Sequence, residues 1–151
     1  MPRFNEKTVV EDYLVHELEK KGWRFVQANE LARDNFEEPL IVYDLIRKIK
    51  ELNPDLGIGE EELKEVINKL KMCSRGPEGA KTILNYFKYG IPIKFEKERE
   101  VHYIRLFDYN NIKNNDFIVS RQVVFQSADD WIRADIILFV NGIPLVVVEC
   151  K

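Results

Sequence analysis

An aspartate, a glutamate and a lysine stand at the ends of apolar runs in Arg133-Ala-Asp135-Ile-Ile-Leu-Phe-Val-Asn-Gly-Ile-Pro-Leu-Val-Val-Val-Glu149-Cys-Lys151. A charge buried without partners costs several kcal/mol, so a carboxylate closing the run Leu145–Val148 calls for a counter-ion or a metal. Lys151 lies two positions past Glu149, which puts both side chains on one face of an extended chain. Two carboxylates and a lysine suit phosphodiester hydrolysis. Carboxylate and main-chain oxygens bind Mg2+, for which Mn2+ can substitute, and the metal polarises a phosphoryl oxygen and acidifies an attacking water. A lysine beside it can position or deprotonate that water and offset the charge of the transition state. The Cys150 carbonyl offers a further oxygen ligand, while its thiol is expected to point to the opposite face and pack.

This chemistry sets a condition on the turn. Asn141-Gly142 is a hairpin signal, and a two-residue loop pairs Val140 with Ile143 and Asp135 with Val148. Glu149 then faces away from Asp135. An odd-length loop or a β-bulge restores a shared face, and Pro144, which has no N–H to donate, suits an irregular strand start.

The elements that must position these residues fall into two groups. Thr8-Val-Val-Glu11 opens an apolar-periodic run through Val10, Tyr13, Leu14 and Leu18 that ends at Gly22. Trp23–Val26 is a short strand or a connection. Helical spacing recurs over Leu40–Leu52, Glu60–Met72 and a shorter run through Ile83, Leu84 and Phe87 to Gly90. Residues 91–96, 101–108, 117–125, 132–140 and 143–150 then read as strands rich in Val, Ile, Phe and Tyr. Helices first and strands later indicate an α+β domain. Ile143–Val148 is almost wholly apolar and is expected to be a central strand covered on both faces.

Composition bounds the rest. The 151 residues fit one domain, 45% apolar and 32% charged, as in folded globular proteins. No run approaches the roughly 18 apolar residues of a membrane span, and the charged N-terminus has no signal-peptide core. Cys73 and Cys150 have neither disulfide-framework nor metal-type spacing, which points to a reducing, cytoplasmic setting. The net charge of −3 disfavours a domain that grips nucleic acid through basic excess alone.

Ala134-Asp135 followed by Glu149-Cys150-Lys151 resembles the PD-(D/E)xK nucleases, with Ala where the name-giving Pro would stand. The chain is more closely similar to the N-terminal nuclease region of type I restriction enzyme R subunits. That resemblance rests on Arg105-Leu-Phe-Asp108, Asn115-Asp-Phe-Ile-Val119, Gln122, Arg133-Ala-Asp135 and Phe139–Lys151. It implies a restriction-endonuclease-like fold, a central mixed β-sheet flanked by helices, with residues 1–151 reading as a fragment that ends after the Glu-x-Lys strand and carries a helical insertion at about 31–80. The implied activity is Mg2+-dependent cleavage of double-stranded DNA, in a complex with methyltransferase and specificity subunits. ATP would serve only motor domains outside these residues, which hold no Walker-type loop. Such a fragment is expected to be nearly inactive by itself.

The resemblance implies that Asp135 and Glu149 hold metal and that Lys151 assists the water. A glutamate on the first helix often completes such a site, and Glu11 is the best-placed match; it equally fits a capping box with Thr8, which needs no metal. Gln122 and Arg133 are candidates for touching DNA, against a fold-holding hydrogen bond and an exposed strand arginine. Two rivals stand beside this reading: another PD-(D/E)xK nuclease of recombination or repair, and a non-catalytic docking module that keeps the fold. Converging carboxylates favour a nuclease, and divergent ones the docking module.

Overall fold

The computed structural model describes residues 5–74 and 76–151. The fold is α+β, with four α-helices, a four-stranded mixed sheet and a two-stranded antiparallel sheet. Residues up to Leu45 together with Asn115–Lys151 form one compact unit, and Ile46–Asn114 form another.

The first unit holds α1 (Glu6–Lys20), β1 (Arg24–Phe25), β4 (Phe117–Ser127), β5 (Asp130–Val140) and β6 (Ile143–Val148). Its sheet runs β1-β4-β5-β6, with β1 parallel to β4 and the other pairs antiparallel. Asn5 caps α1, its side-chain oxygen accepting the Thr8 N–H at 2.7 Å. The helix therefore starts before Thr8, and the capping-box role considered for Glu11 does not arise. α1 covers one face of the sheet, where Val15 packs with Val119, Ile136 and Cys150. The segment through Leu31 and Ile41 covers the other, over Ile118, Val123, Ala134, Ile137 and Phe139.

Asn141 and Gly142 form a two-residue turn in which both residues have positive φ, 52° and 81°, as a type I′ hairpin requires. Gly142 is obligatory on a second ground, since a Cβ there would lie 2.6 Å from the Ile41 carbonyl oxygen. The hairpin then carries a bulge. Phe139 pairs with Pro144 but Leu138 with Val146, so Leu145 is the extra residue. The β5–β6 ladder ends at Ile136↔Val148, one step short of Asp135 and Glu149. The hairpin thus carries the β-bulge that parity called for.

One strand assignment is corrected. β6 is an edge strand, and Leu145, Val146 and Val147 are 43%, 45% and 56% exposed. Its continuous apolar run suggested cover on both faces; within this unit β4 and β5 take the interior positions instead.

The second unit contains most of α2 (Val42–Leu52), then α3 (Glu60–Lys71), α4 (Pro77–Tyr89), β2 (Ile91–Phe95) and β3 (Glu100–Ile104). The strands β2 and β3 pair only with each other, so they are not part of the central sheet. Buried Asn53 fastens the unit by donating to Arg105 O at 2.9 Å and accepting from Arg105 N at 2.9 Å. Asp108 accepts from the Asn110 and Asn111 amides, at 3.0 and 2.9 Å, and so shapes its own loop. Among the described residues no helix is long and apolar enough to cross a membrane.

Candidate metal centre

The centre is assembled from one stripe of α1 and from a matched irregularity in β4 and β5. Lys7, Glu11 and Val15 follow each other at four-residue spacing, so they share a helix face. Val15 packs into the core and Glu11 is buried with it, 3% exposed. Lys7, nearer the helix N-terminus, extends along the same stripe with a half-exposed side chain.

The strands supply the rest by departing from alternation. On β4, Arg121 reaches Glu11 on the α1 side, as parity with Val119 demands, but the next residue, Gln122, reaches Glu11 as well. Gln122 has φ of 52°, a left-handed conformation that turns its side chain to the same face as its neighbour's. On β5, Ile136 and Asp135 likewise both face α1, while Ala134 returns to the other side. Pairing passes from Arg121↔Ile136 to Val123↔Ala134 without a shift, so the two departures lie opposite each other. A non-glycine residue held at positive φ inside a strand costs on the order of 1–3 kcal/mol, and here it delivers a polar side chain to two buried carboxylates.

The resulting contacts are short. Gln122 Nε2 donates to Glu11 Oε1 at 2.7 Å and lies 3.4 Å from Asp135 Oδ1. Arg121 Nη2 donates to Glu11 Oε2 at 2.9 Å, and its Nη1 pairs with Asp12. Asp135, 3% exposed, accepts the Cys150 N–H on Oδ2 at 2.8 Å, and Lys7 Nζ lies 2.8 Å from Oδ1. One oxygen each from Glu11 and Asp135 and the Cys150 sulfur all lie within 4.8 Å of one another.

Charge balance follows from these partners. The Lys7 ammonium and then the Cys150 amide hold the Asp135 carboxyl below the ordinary carboxylate range. The same hydrogen bond to Asp135 raises the Lys7 pKa, with Glu11 and Glu149 adding to it. Burial works against the Arg121 charge, yet Glu11 and Asp12 outweigh it and leave its pKa raised. Burial first, and then the Glu11 and Asp135 charges, push the Cys150 thiol up, so it stays a neutral thiol at physiological pH.

Of the residues singled out from sequence, Glu11, Gln122, Asp135 and Cys150 come together. The Cys150 thiol packs with Val15, Val119 and Ile136, on the side to which Asp135 is turned. Glu149 and Lys151 follow the end of β6, are exposed, and are not in the three-residue cluster. Arg133 is exposed on β5. Lys7, Asp12 and Arg121 escaped the sequence reading. The spacing Lys7-x-x-x-Glu11 and the polar interruption Ser120-Arg121-Gln122 inside an apolar strand were the signals available.

Two buried carboxylate oxygens form a hard donor set of the kind Mg2+ and Mn2+ take, and a neutral thiol adds nothing for such ions. Glu11, Asp12 and Asp135 face the two cations Lys7 and Arg121, so the cluster retains negative charge for a further cation. The residues fit a hard divalent ion.

Residues 3–151 match the family described as type I restriction enzyme R protein N terminus. The chain belongs to that family. It is 31% identical over 155 aligned positions to the MjaVIIIP endonuclease subunit of Methanocaldococcus jannaschii, covering 97% of this chain and 14% of that protein. To the HindI endonuclease subunit of Haemophilus influenzae it is 27% identical over 157 positions, covering 94% of this chain and 14% of the relative. Both relatives are named as type I restriction enzyme subunits, and the chain spans about a seventh of their length.

Several residues that carried the resemblance to R subunits have structural duties in this R-protein N terminus. Asn141 donates to Asn115 Oδ1 at 2.9 Å and accepts the Asp116 N–H at 2.7 Å, which ties the β5–β6 turn to the start of β4. Asp108 shapes a loop of the second unit. Gln122 and Asp135 meet at the candidate centre.

Proposed function

We propose that this chain is the nuclease region of a type I restriction enzyme endonuclease subunit, and that it cleaves double-stranded DNA with Mg2+. The observation that carries the reading is the convergence of Glu11 and Asp135, two carboxylates brought from a helix and a strand into one buried space. Family membership gives that convergence its direction.

In this reading Glu11 and Asp135 hold the metal, with Glu149 and the Cys150 carbonyl as further oxygen ligands. When bound, the ion supplies Lewis-acid polarisation of a phosphoryl oxygen and a more acidic water. Arg121 and Gln122 hold the Glu11 carboxylate by one oxygen each, and the Cys150 amide holds Asp135. Orientation of ligands by such outer partners typically governs metal affinity by roughly 10–100-fold. Lys151 is assigned to positioning the attacking water and Arg133 to a DNA phosphate. The acidic balance of the chain, −3, means that much of the hold on DNA comes from the methyltransferase and specificity subunits. ATP belongs to motor domains of the full-length subunit, and the setting is the cytoplasm.

One observation favours the docking module instead: Glu149 and Lys151 are exposed and not part of the buried cluster. Calorimetric titration of Mn2+ separates the readings. The nuclease reading expects saturable binding that Asp135→Asn abolishes, and loss of plasmid nicking when that substitution is placed in the assembled full-length enzyme. A folded chain that binds no Mn2+ would support the docking module.

A further inference from the structure

We infer that Lys7 is a built-in cation that occupies the carboxylate pair in the metal-free chain and must yield for a divalent ion to bind. The inference rests on the metal reading above and adds to it a residue that competes with the metal.

Three observations carry it. The Lys7 ammonium is 2.8 Å from Asp135 Oδ1, an oxygen of one of the two carboxylates that would hold metal. Glu11 and Glu149 add to the field of Asp135 at the Lys7 ammonium, so its surroundings are acidic beyond the single pair. Its side chain is 48% exposed while that of Asp135 is 4% exposed, which makes the lysine the partner that can leave.

The other donors differ in this respect. Arg121 is tied to Glu11 and Asp12 together, Gln122 emerges from the sheet interior, and the Cys150 amide belongs to the backbone. Arg121, 23% exposed and doubly paired, is held more firmly than Lys7 at 48%. Lys7 hangs on the first turns of α1 by a flexible four-carbon stem, and a hydrated ammonium loses little on returning to solvent. Neutralising buried Asp135 with a detachable ammonium lets the chain keep that carboxylate charged in the absence of metal. The consequence is a weaker apparent affinity for the ion.

The test is a calorimetric Mn2+ titration of the 151-residue chain and its Lys7→Gln and Lys7→Arg variants, with thermal unfolding followed in parallel. Lys7→Gln is expected to bind Mn2+ about tenfold more tightly than wild type, the equivalent of about 1.4 kcal/mol in competition removed. Its metal-free melting temperature should fall, and saturating Mn2+ should raise it by more than it raises wild type. Lys7→Arg keeps the charge and should bind as wild type does. Equal or weaker Mn2+ binding by Lys7→Gln, with wild type binding, overturns the role of Lys7 and leaves the metal reading standing. Binding by Lys7→Gln alone supports the inference in its strongest form. Failure of every folded variant to bind overturns the metal reading, and this inference with it.

Discussion

Two buried polar networks sit on the same β4–β5 ladder, and they are built on different principles. At the turn, Asn141, fully buried, exchanges hydrogen bonds with the Asn115 side chain and the Asp116 backbone. The Asn115 side-chain oxygen and the Asp116 amide are neutral groups carried by the fold itself. Six residues back, on β5, Asp135 and its neighbour Glu11 are charged, and one of their cations is half exposed. A network whose duty is to hold a turn uses neutral donors and acceptors that match within the fold, since a neutral amide is cheaper to bury than an ion. The network proposed to accept an ion keeps surplus charge, and its Lys7 partner is half exposed. Both are fully hydrogen-bonded, with no unpartnered buried side-chain nitrogen or oxygen among the described residues, so satisfaction alone does not tell them apart. The identity of the partners does.

Crossed substitutions give the strongest test of that contrast. Asp135→Asn keeps an acceptor for the Cys150 amide but removes the charge. It should weaken Mn2+ binding by more than about 100-fold, beyond the loss of an outer partner, while unfolding stability changes by less than about 1 kcal/mol. Asn141→Ala strands buried groups and places alanine at positive φ, so it should cost about 2–3 kcal/mol in denaturant unfolding with Mn2+ affinity unchanged. Were both variants to lose stability alone, the distinction between the networks would collapse.

Gln122→Gly is a finer probe of the same division. Glycine accepts the φ of 52° without strain, but the bridge to Glu11 and Asp135 disappears. Mn2+ affinity should fall about tenfold, with stability within roughly 1 kcal/mol of wild type. An unchanged affinity would reduce Gln122 to a backbone feature.

Acid unfolding reads the charged network by itself. Because the Asp135 pKa is lowered in the fold, its ionisation contributes stability above the ordinary carboxylate pKa, and that contribution is lost as pH falls through the folded value. Wild type should therefore lose stability on acidification in this range more steeply than Asp135→Asn, and the gap between them should close at the acid end. A constant gap would mean that Lys7 and the Cys150 amide do not favour the ionised form.

The smallest effect is expected on the β6 edge. Val147→Thr, at a position 56% exposed, should change stability by no more than about 0.5 kcal/mol. A loss of 1.5 kcal/mol or more in this chain would restore the covered strand that the apolar run suggested.

The hairpin shows how far residue patterns reach. Asn141-Gly142 specifies its turn locally, because few residues tolerate two successive positive φ values. Parity asked for an odd loop or a bulge if Asp135 and Glu149 were to share a metal, and the hairpin carries a bulge at Leu145. Parity failed at Asp135 itself, which shares a face with Ile136, since the backbone departure that turns it lies opposite Gln122 on another strand. Glu11 could be named but not placed: a capping box with Thr8 competed with the ligand role, and the cap is Asn5 instead. Lys7 went unnoticed because a lysine at the head of a helix is ordinary until the strand it faces is known.

By itself, then, the sequence determined the α+β class, the I′ turn, the residues bearing chemistry and the family they resemble. Each of these depends on contacts or preferences local to a few residues. Tertiary structure decided that β6 lies at an edge, that two facing strands break alternation together, and that a helix lays Lys7 and Glu11 over Asp135. The last of these joins groups more than a hundred residues apart, and in all three side-chain periodicity within one element carries no information about the element opposite it.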